Sequence, residues 1–411
     1  MQKPAAPEYA QERCGDCHLR THETLESLHF TARNMVNMVR RHFGAARDLG
    51  SASEIPVKDS PENILELTDD LLRRNCLSCH LNSGGDAYPG VIRGTGCASC
   101  HLEFRDGALL SHHFVRKPAD TACLSCHYGN RVGSDYYGWF EHDFKHEYRT
   151  PYQIDGSYPP RPYGVEQHRL APDVHQRAGM TCIDCHPGRQ LMGESPGISC
   201  IDCHRWQKDD RTAAQNLETN ELGLTLKLAH EQRQLQVPPA TDTRHKDYND
   251  TADCQVCHAQ WSYMDRSTHL LRLDAENYED WADLVVQSSY EAELLLSNSI
   301  YGEESYPPAM TDKLTGIEKP GLWLKGYDTR RWETPFVTTD SSGKFQIARP
   351  ILDLVLSWVD SNGETVFDSV RGNGKEFRTY TPHTTGPAGI FYRQRLTDMA
   401  TPKKNGAEQK K

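Results

Sequence analysis

Apolar positions recur at intervals that predict where the chain folds locally. Leu25, Leu28, Met35, Val36, Val39 and Phe43 fall three or four residues apart, which predicts a helix over 22–43 with one apolar face. Asn63 to Asn75 reads as a second helix, running straight into a cysteine pair. Leu222, Leu226, Ala229, Arg233 and Leu235 predict a helical packing side within the polar stretch 205–239. Trp281, Leu284, Val285, Ala292 and Leu295 do the same for a helix over 275–300. From Trp323 to Val370 the pattern turns toward strands. There the turn sequences Asp340-Ser341-Ser342-Gly343 and Asp360-Ser361-Asn362-Gly363 bracket a β-rich run, 351–359. The interval 128–181 is the most aromatic part of the chain, with Pro159, Pro160 and Pro162 interrupting regular structure. The expected fold is therefore mainly α and irregular, with a small β-containing region at the C-terminus.

The cysteines add chemistry to this outline. All fourteen fall in seven Cys-x-x-Cys-His motifs: Cys14-Cys17-His18, Cys76-Cys79-His80, Cys97-Cys100-His101, Cys123-Cys126-His127, Cys182-Cys185-His186, Cys200-Cys203-His204 and Cys254-Cys257-His258. This spacing attaches a haem through two thioethers and offers the following imidazole to its iron. A disulfide framework needs no histidine after each second cysteine, and a thioredoxin-like site normally occurs once in a βαβ setting. Zinc sites usually combine two such pairs, so seven pairs fit poorly. Seven covalent c-type haems are the expected cofactors, with the polypeptide wrapped around a chain of them.

Composition fits that expectation. Hydrophobic residues make up 37% of the 411, and mean hydropathy is -0.72; porphyrin rings would supply apolar surface that the side chains do not. Linkers of sixteen residues from His80 to Cys97 and twenty-one from His101 to Cys123 leave little room for independent domains. Residues 1–272 are read as the seven-haem region and 273–411 as a motif-free region that packs on it or forms a contact surface. The net charge of -11 argues against nucleic acid. No apolar run reaches the roughly 18 residues of a membrane span. The start, MQKPAAPEYAQER, lacks the apolar core of a signal peptide. Because haem attachment of this kind takes place outside the cytoplasm, the protein is expected to be exported, to the periplasm or the extracellular space.

Thirteen histidines lie outside the motifs, enough to give every iron a second imidazole. His29 is on or beside the first apolar helical face, as is His42. His113 is favoured over its neighbour His112, since adjacent helical residues point about 100° apart. His142 and His146 stand four apart in the aromatic interval. His168 and His175 precede the motif at Cys182, and His245 precedes the one at Cys254, positions from which each can cap a neighbouring iron. His383 lies in Thr381-Pro382-His383-Thr384-Thr385, from which the tail reaches back. The distal candidates are thus His29, His113, His142, His168, His175, His245 and His383. Two imidazoles close an iron and make it an electron carrier; a missing one leaves it open to ligands.

Seven CxxCH motifs, the histidines ahead of them and the run GMTCIDCH make the chain resemble the large multihaem c-type cytochromes of anaerobic respiration, including extracellular cytochromes of metal-respiring microbes. The resemblance covers residues 14 to 258. It implies an electron-transfer protein with mostly bis-histidine haems. Its partners would be redox proteins or an extracellular acceptor, and some relatives polymerise through haem contacts. The tail resembles a β-containing segment in which a Pro-His-Thr run supplies a distal ligand ahead of a last motif, although no CxxCH follows His383 here. Multihaem reductases of nitrite, tetrathionate or sulfite, and hydroxylamine oxidases, resemble the chain in motif density and expose one open iron. All seven motifs here end in histidine rather than the lysine of some such enzymes. A third reading is a subunit docked on a membrane complex through its tail.

Overall fold

The computed structural model describes residues 7–16, 18, 21–130, 132–141, 160–193, 197–205, 216–221, 223–231, 233–276, 289–301, 307–332, 335–389 and 395. Among the described residues, fourteen α-helices alternate with sixteen strands that form several sheets. This α/β fold overturns the expectation of a mainly helical wrapper, because strands begin at Phe104 and recur throughout the motif region.

The polar stretch 205–239 shows why. Within it, Leu217–Asn220, Gly223–Lys227 and Gln234–Gln236 form an antiparallel meander rather than a helix. A four-residue leucine spacing satisfies both helical and strand periods, and Leu224, Leu226 and Leu228 follow the strand period of two. Gly223, with φ near 99°, closes the first hairpin in a conformation that disfavours other residues. The helix predicted over 22–43 is likewise broken into Thr21–Leu25, Leu28–Thr31 and Arg33–His42. Ala32, at φ 50°, adopts the left-handed conformation between the last two, which no continuous helix tolerates.

Other expectations match the structure. Helix Ile64–Arg74 starts with Asn63 accepting the Glu66 N–H and ends at the second motif. The turns at Asp340 and Asp360 each close a hairpin in the same way. Each aspartate Oδ1 accepts N–H groups two and four residues on, at 2.8 and 3.0 Å, and Gly343 and Gly363 take positive φ. Of the helix expected over 275–300, residues 277–288 lie outside the described set, and Tyr290–Tyr301 is helical.

A four-stranded sheet organises the C-terminal half, in the order Leu322–Thr329, Arg266–Leu273, Leu354–Val359, Thr365–Arg371. Only the central pair, Arg266–Leu273 with Leu354–Val359, is parallel. Leu67, Leu71 and Leu72 of helix Ile64–Arg74 bury completely against this sheet, alongside Leu273, Leu322, Trp323 and Leu356. The largest core therefore joins residues from both sides of position 272. Buried ion pairs reinforce it: Arg73 reaches Asp312, and Arg40 Nε reaches Asp69 Oδ1 at 2.7 Å. A second sheet, Phe336–Thr339, Phe345–Pro350 and Phe377–Thr379, packs Ile347 with Tyr380, Tyr263, Trp261 and Val256, the last lying inside the seventh motif. Among the described residues, no helix is long and apolar enough to cross a membrane.

Candidate functional site

The second to seventh motifs each lie on or run out of a short helical turn, which puts their two cysteines and the histidine near one another. The motif helices Cys182–Cys185 and Cys200–His204 start identically. Thr181 and Ser199 are N-caps, and the aspartate inside each motif, Asp184 or Asp202, accepts the cap's backbone N–H at 2.7 or 2.6 Å. The pattern Thr/Ser-x-x-Asp is a capping-box variant legible in the sequence, and it gives these aspartates a definite structural role. Asp184 additionally accepts the Ala229 N–H at 2.6 Å, fastening the meander to the fifth motif. Met180, Leu217, Leu226 and Leu228 pack behind Cys185 and Cys203, so the meander is the apolar backing of two motifs.

The motif histidines share a second feature. Nδ1 of His101, His127, His204 and His258 lies 2.7 to 2.8 Å from the carbonyls of Val115, Val132, Pro238 and Gly386, and Nδ1 of His186 lies 2.9 Å from Gln190 Oε1. Donation from Nδ1 fixes the tautomer and leaves the Nε2 lone pair for a metal. Burial lowers the pKa of His80, His186 and His204 below the usual imidazole value and favours the neutral, metal-binding form. His80 departs from the pattern: its Nε2 lies 2.8 Å from the Phe30 carbonyl and its Nδ1 accepts the Asn82 N–H at 3.2 Å. His18 is exposed, and Cys17 lies outside the described residues.

Three motif histidines each face a histidine from outside the motifs. Ring centres lie 6.0 Å apart for His175 and His204, 6.0 Å for His186 and His383, and 6.1 Å for His245 and His258. Two imidazoles bound to opposite sides of one metal, at about 2 Å per metal–nitrogen bond, have ring centres roughly 6 Å apart. His245 and His383 each carry a buried Nδ1 without a hydrogen-bond partner. The residues therefore fit haem iron held between these pairs. Among the described residues, no three His, Cys, Asp or Glu side chains gather as a bare metal site, and no described cysteine forms a disulfide.

The other distal candidates are placed differently. His29 is exposed, bonds the Leu191 backbone and lies in electrostatic reach of His186, with its pKa lowered by desolvation. His113 is exposed in the loop after strand Ala108–Leu109, with its backbone N–H on Ser111 Oγ. His168 stacks on Phe140 across a two-stranded ladder at 6.5 Å. His142 and His146 lie outside the described residues. His42 is buried against Phe43 and Gly372, and His269 pairs with Asp328 at 2.9 Å.

The motifs also touch one another. Cys14 hydrogen-bonds Cys97, Cys126 hydrogen-bonds Cys79, Cys123 hydrogen-bonds Cys182, and Cys200 hydrogen-bonds Cys254. Cys100 lies in electrostatic reach of Cys123, and Cys185 of Cys203. These contacts connect all seven motifs. Residues without a motif signature make some of the joints, namely Arg93, Asp120 and Asp173, and nothing in their local sequence marks them. No family model, curated protein or solved structure matches this chain.

Proposed function

We propose that the chain is an exported electron-transfer protein carrying seven covalently attached c-type haems, most of them ligated by two histidines, and working in anaerobic respiration or extracellular electron transfer. The observation that carries this reading is the pairing of His204, His186 and His258 with His175, His383 and His245 at 6.0 to 6.1 Å. The cysteine pairs would anchor the rings, and the motif histidines would hold the irons, with His175, His383 and His245 as further ligands beside His204, His186 and His258. When bound, each haem provides an iron that accepts or releases one electron. The polypeptide's part is to hold these sites in contact, close the irons to exogenous ligands and tune each potential through hydrogen bonds to the imidazoles.

Protein matured in a host able to attach c-type haem tests the proposal. Its mass is expected to exceed that of the polypeptide by seven haems, with low-spin spectra and no stable carbon monoxide binding. A single high-spin iron that binds carbon monoxide favours an oxidoreductase instead, and a bare polypeptide mass rejects haem attachment altogether.

A further inference from the structure

The seven motifs do not follow one another in space as they do in sequence, and the Cys123–His127 motif meets three others. Cys126 Sγ lies 3.5 Å from the Cys79 carbonyl and Cys79 Sγ 3.6 Å from the Cys126 carbonyl, and helix Asp120–Leu124, which carries Cys123, packs against Cys182–Cys185 and against Ala98–His101. Each joint has supporting structure. The buried Arg93 spans the joint between the second and fourth motifs. Its Nη2 donates to the carbonyls of Ser78 and His80 at 3.0 and 3.2 Å, and its Nη1 to that of Ser125 at 3.5 Å. Asp120, in the first turn of the fourth motif's helix, accepts the Cys182 N–H at 2.9 Å and the Tyr137 hydroxyl. On the third side, helix Ala98–His101 packs against helix Asp120–Leu124, and the linker folds back on the third motif, with Val115 N–H donating to the His101 carbonyl at 2.8 Å and His101 Nδ1 facing the Val115 carbonyl at 2.7 Å.

Resting on the electron-transfer reading above, we propose that the site at Cys123, Cys126 and His127 is a three-way junction. Electrons at Cys76–His80 and at Cys97–His101 reach Cys182–His186 through separate contacts that meet there, instead of passing through the motifs in single file. The cysteine sulfurs would carry the rings through their thioether bonds, so motifs whose cysteines touch would hold their rings close together. Electron tunnelling falls steeply with edge separation, which makes touching motifs the dominant exchange partners. Each step moves one electron from a reduced to an oxidised iron, and no bond forms or breaks. The contact of Cys14 with Cys97 lengthens one arm to the first motif, and those at Cys185 and Cys200 lengthen another to the seventh.

The test uses a ruthenium polypyridyl photoreductant attached through Lys246→Cys, an exposed position on the helix ahead of the seventh motif. His80→Met marks the second motif's iron by the charge-transfer band of sulfur ligation. Fast electron arrival at the marked site is expected to survive Cys97→Ala with Cys100→Ala, and to be lost with Cys123→Ala and Cys126→Ala. Loss on removing the third motif's haem, or survival without the fourth, overturns the junction. If a variant does not mature with its remaining haems, a density map of the intact seven-haem protein decides. Three rings in van der Waals contact with the ring held by His127 support the junction, and two overturn it. A protein whose mass shows no added haem overturns the underlying reading instead, so the two failures are distinguishable.

Discussion

Nδ1 of His175 lies 2.8 Å from Oδ1 of Asp173, whose other oxygen accepts the Thr385 N–H at 2.6 Å. Val174 N–H in turn donates to the Thr385 carbonyl at 2.9 Å. Two residues earlier in the tail, His383 faces His186, and one residue later the Gly386 carbonyl receives Nδ1 of His258. The segment 383–386 thus touches the histidines of the fifth and seventh motifs and reaches that of the sixth through Asp173 and His175. The tail holds no cysteine, yet it positions side chains around the fifth, sixth and seventh motifs.

Asp173 is a carboxylate within hydrogen-bond distance of one of these imidazoles. Burial works against its charge, but hydrogen bonds from the His175 ring and backbone and from Thr385 outweigh it and hold the carboxyl below the usual range. A carboxylate on Nδ1 makes the imidazole a stronger donor and favours ferric iron. Asp173→Asn is therefore expected to raise one midpoint potential by roughly 60 mV, about a tenfold change in a one-electron equilibrium. Spectroelectrochemical titration reads this directly, and seven unmoved potentials would remove Asp173 from any tuning role.

The histidine pairs predict which irons lose a ligand. His175→Ala, His245→Ala and His383→Ala are each expected to convert one haem to a high-spin form that binds carbon monoxide, and His269→Ala, which breaks only a pair with Asp328, none. Magnetic circular dichroism separates the outcomes. An unchanged spectrum in any of the three ligand variants shows that its iron is capped by another residue.

The joint between helix Ile64–Arg74 and the tail rests on a buried ion pair. Arg73 Nε lies 2.8 Å from Asp312 Oδ2, and Asp312 also accepts the Leu314 N–H at 3.0 Å. Removing one charge leaves the other buried without a partner, which costs about 3–5 kcal/mol. Asp312→Asn is expected to lower the unfolding free energy by about that much in denaturant titrations. A change below about 1 kcal/mol would mean that the pair breaks even against solvent.

His42 gives the same region a dependence on pH. Burial lowers its pKa, and its own carbonyl receives the Asn373 N–H at 2.6 Å. With the folded value below the unfolded value of about 6.5, the unfolded chain binds the proton more readily. The stabilisation is complete above the unfolded value and declines as pH falls through it toward the folded one. His42→Gln should flatten this part of the stability profile between pH 7 and 5, by about 1.4 kcal/mol per pH unit at most. An unaltered slope in the variant assigns the effect to other groups.

The motifs on which the proposed haem attachment rests were legible in the chain itself, because each is local in sequence, a cysteine pair with the histidine that follows it. So were helix Ile64–Arg74 and the two aspartate-glycine turns, whose signals lie within a few residues. The meander over 217–236 was not, since a leucine every fourth residue suits both a helix and a strand until hydrogen-bond partners decide. Nor was the break at Ala32, which follows from packing rather than from any glycine or proline. Distal ligation depends on residues that meet across large sequence gaps: His186 with His383, and His204 with His175. Only tertiary structure brings those imidazoles to metal-bridging distance, and only it assigns Asp173 to His175 and Arg93 to the joint beside the fourth motif. Spacing along the chain specifies what each motif can bind; the order in which the motifs touch is set by long-range packing that no local pattern encodes.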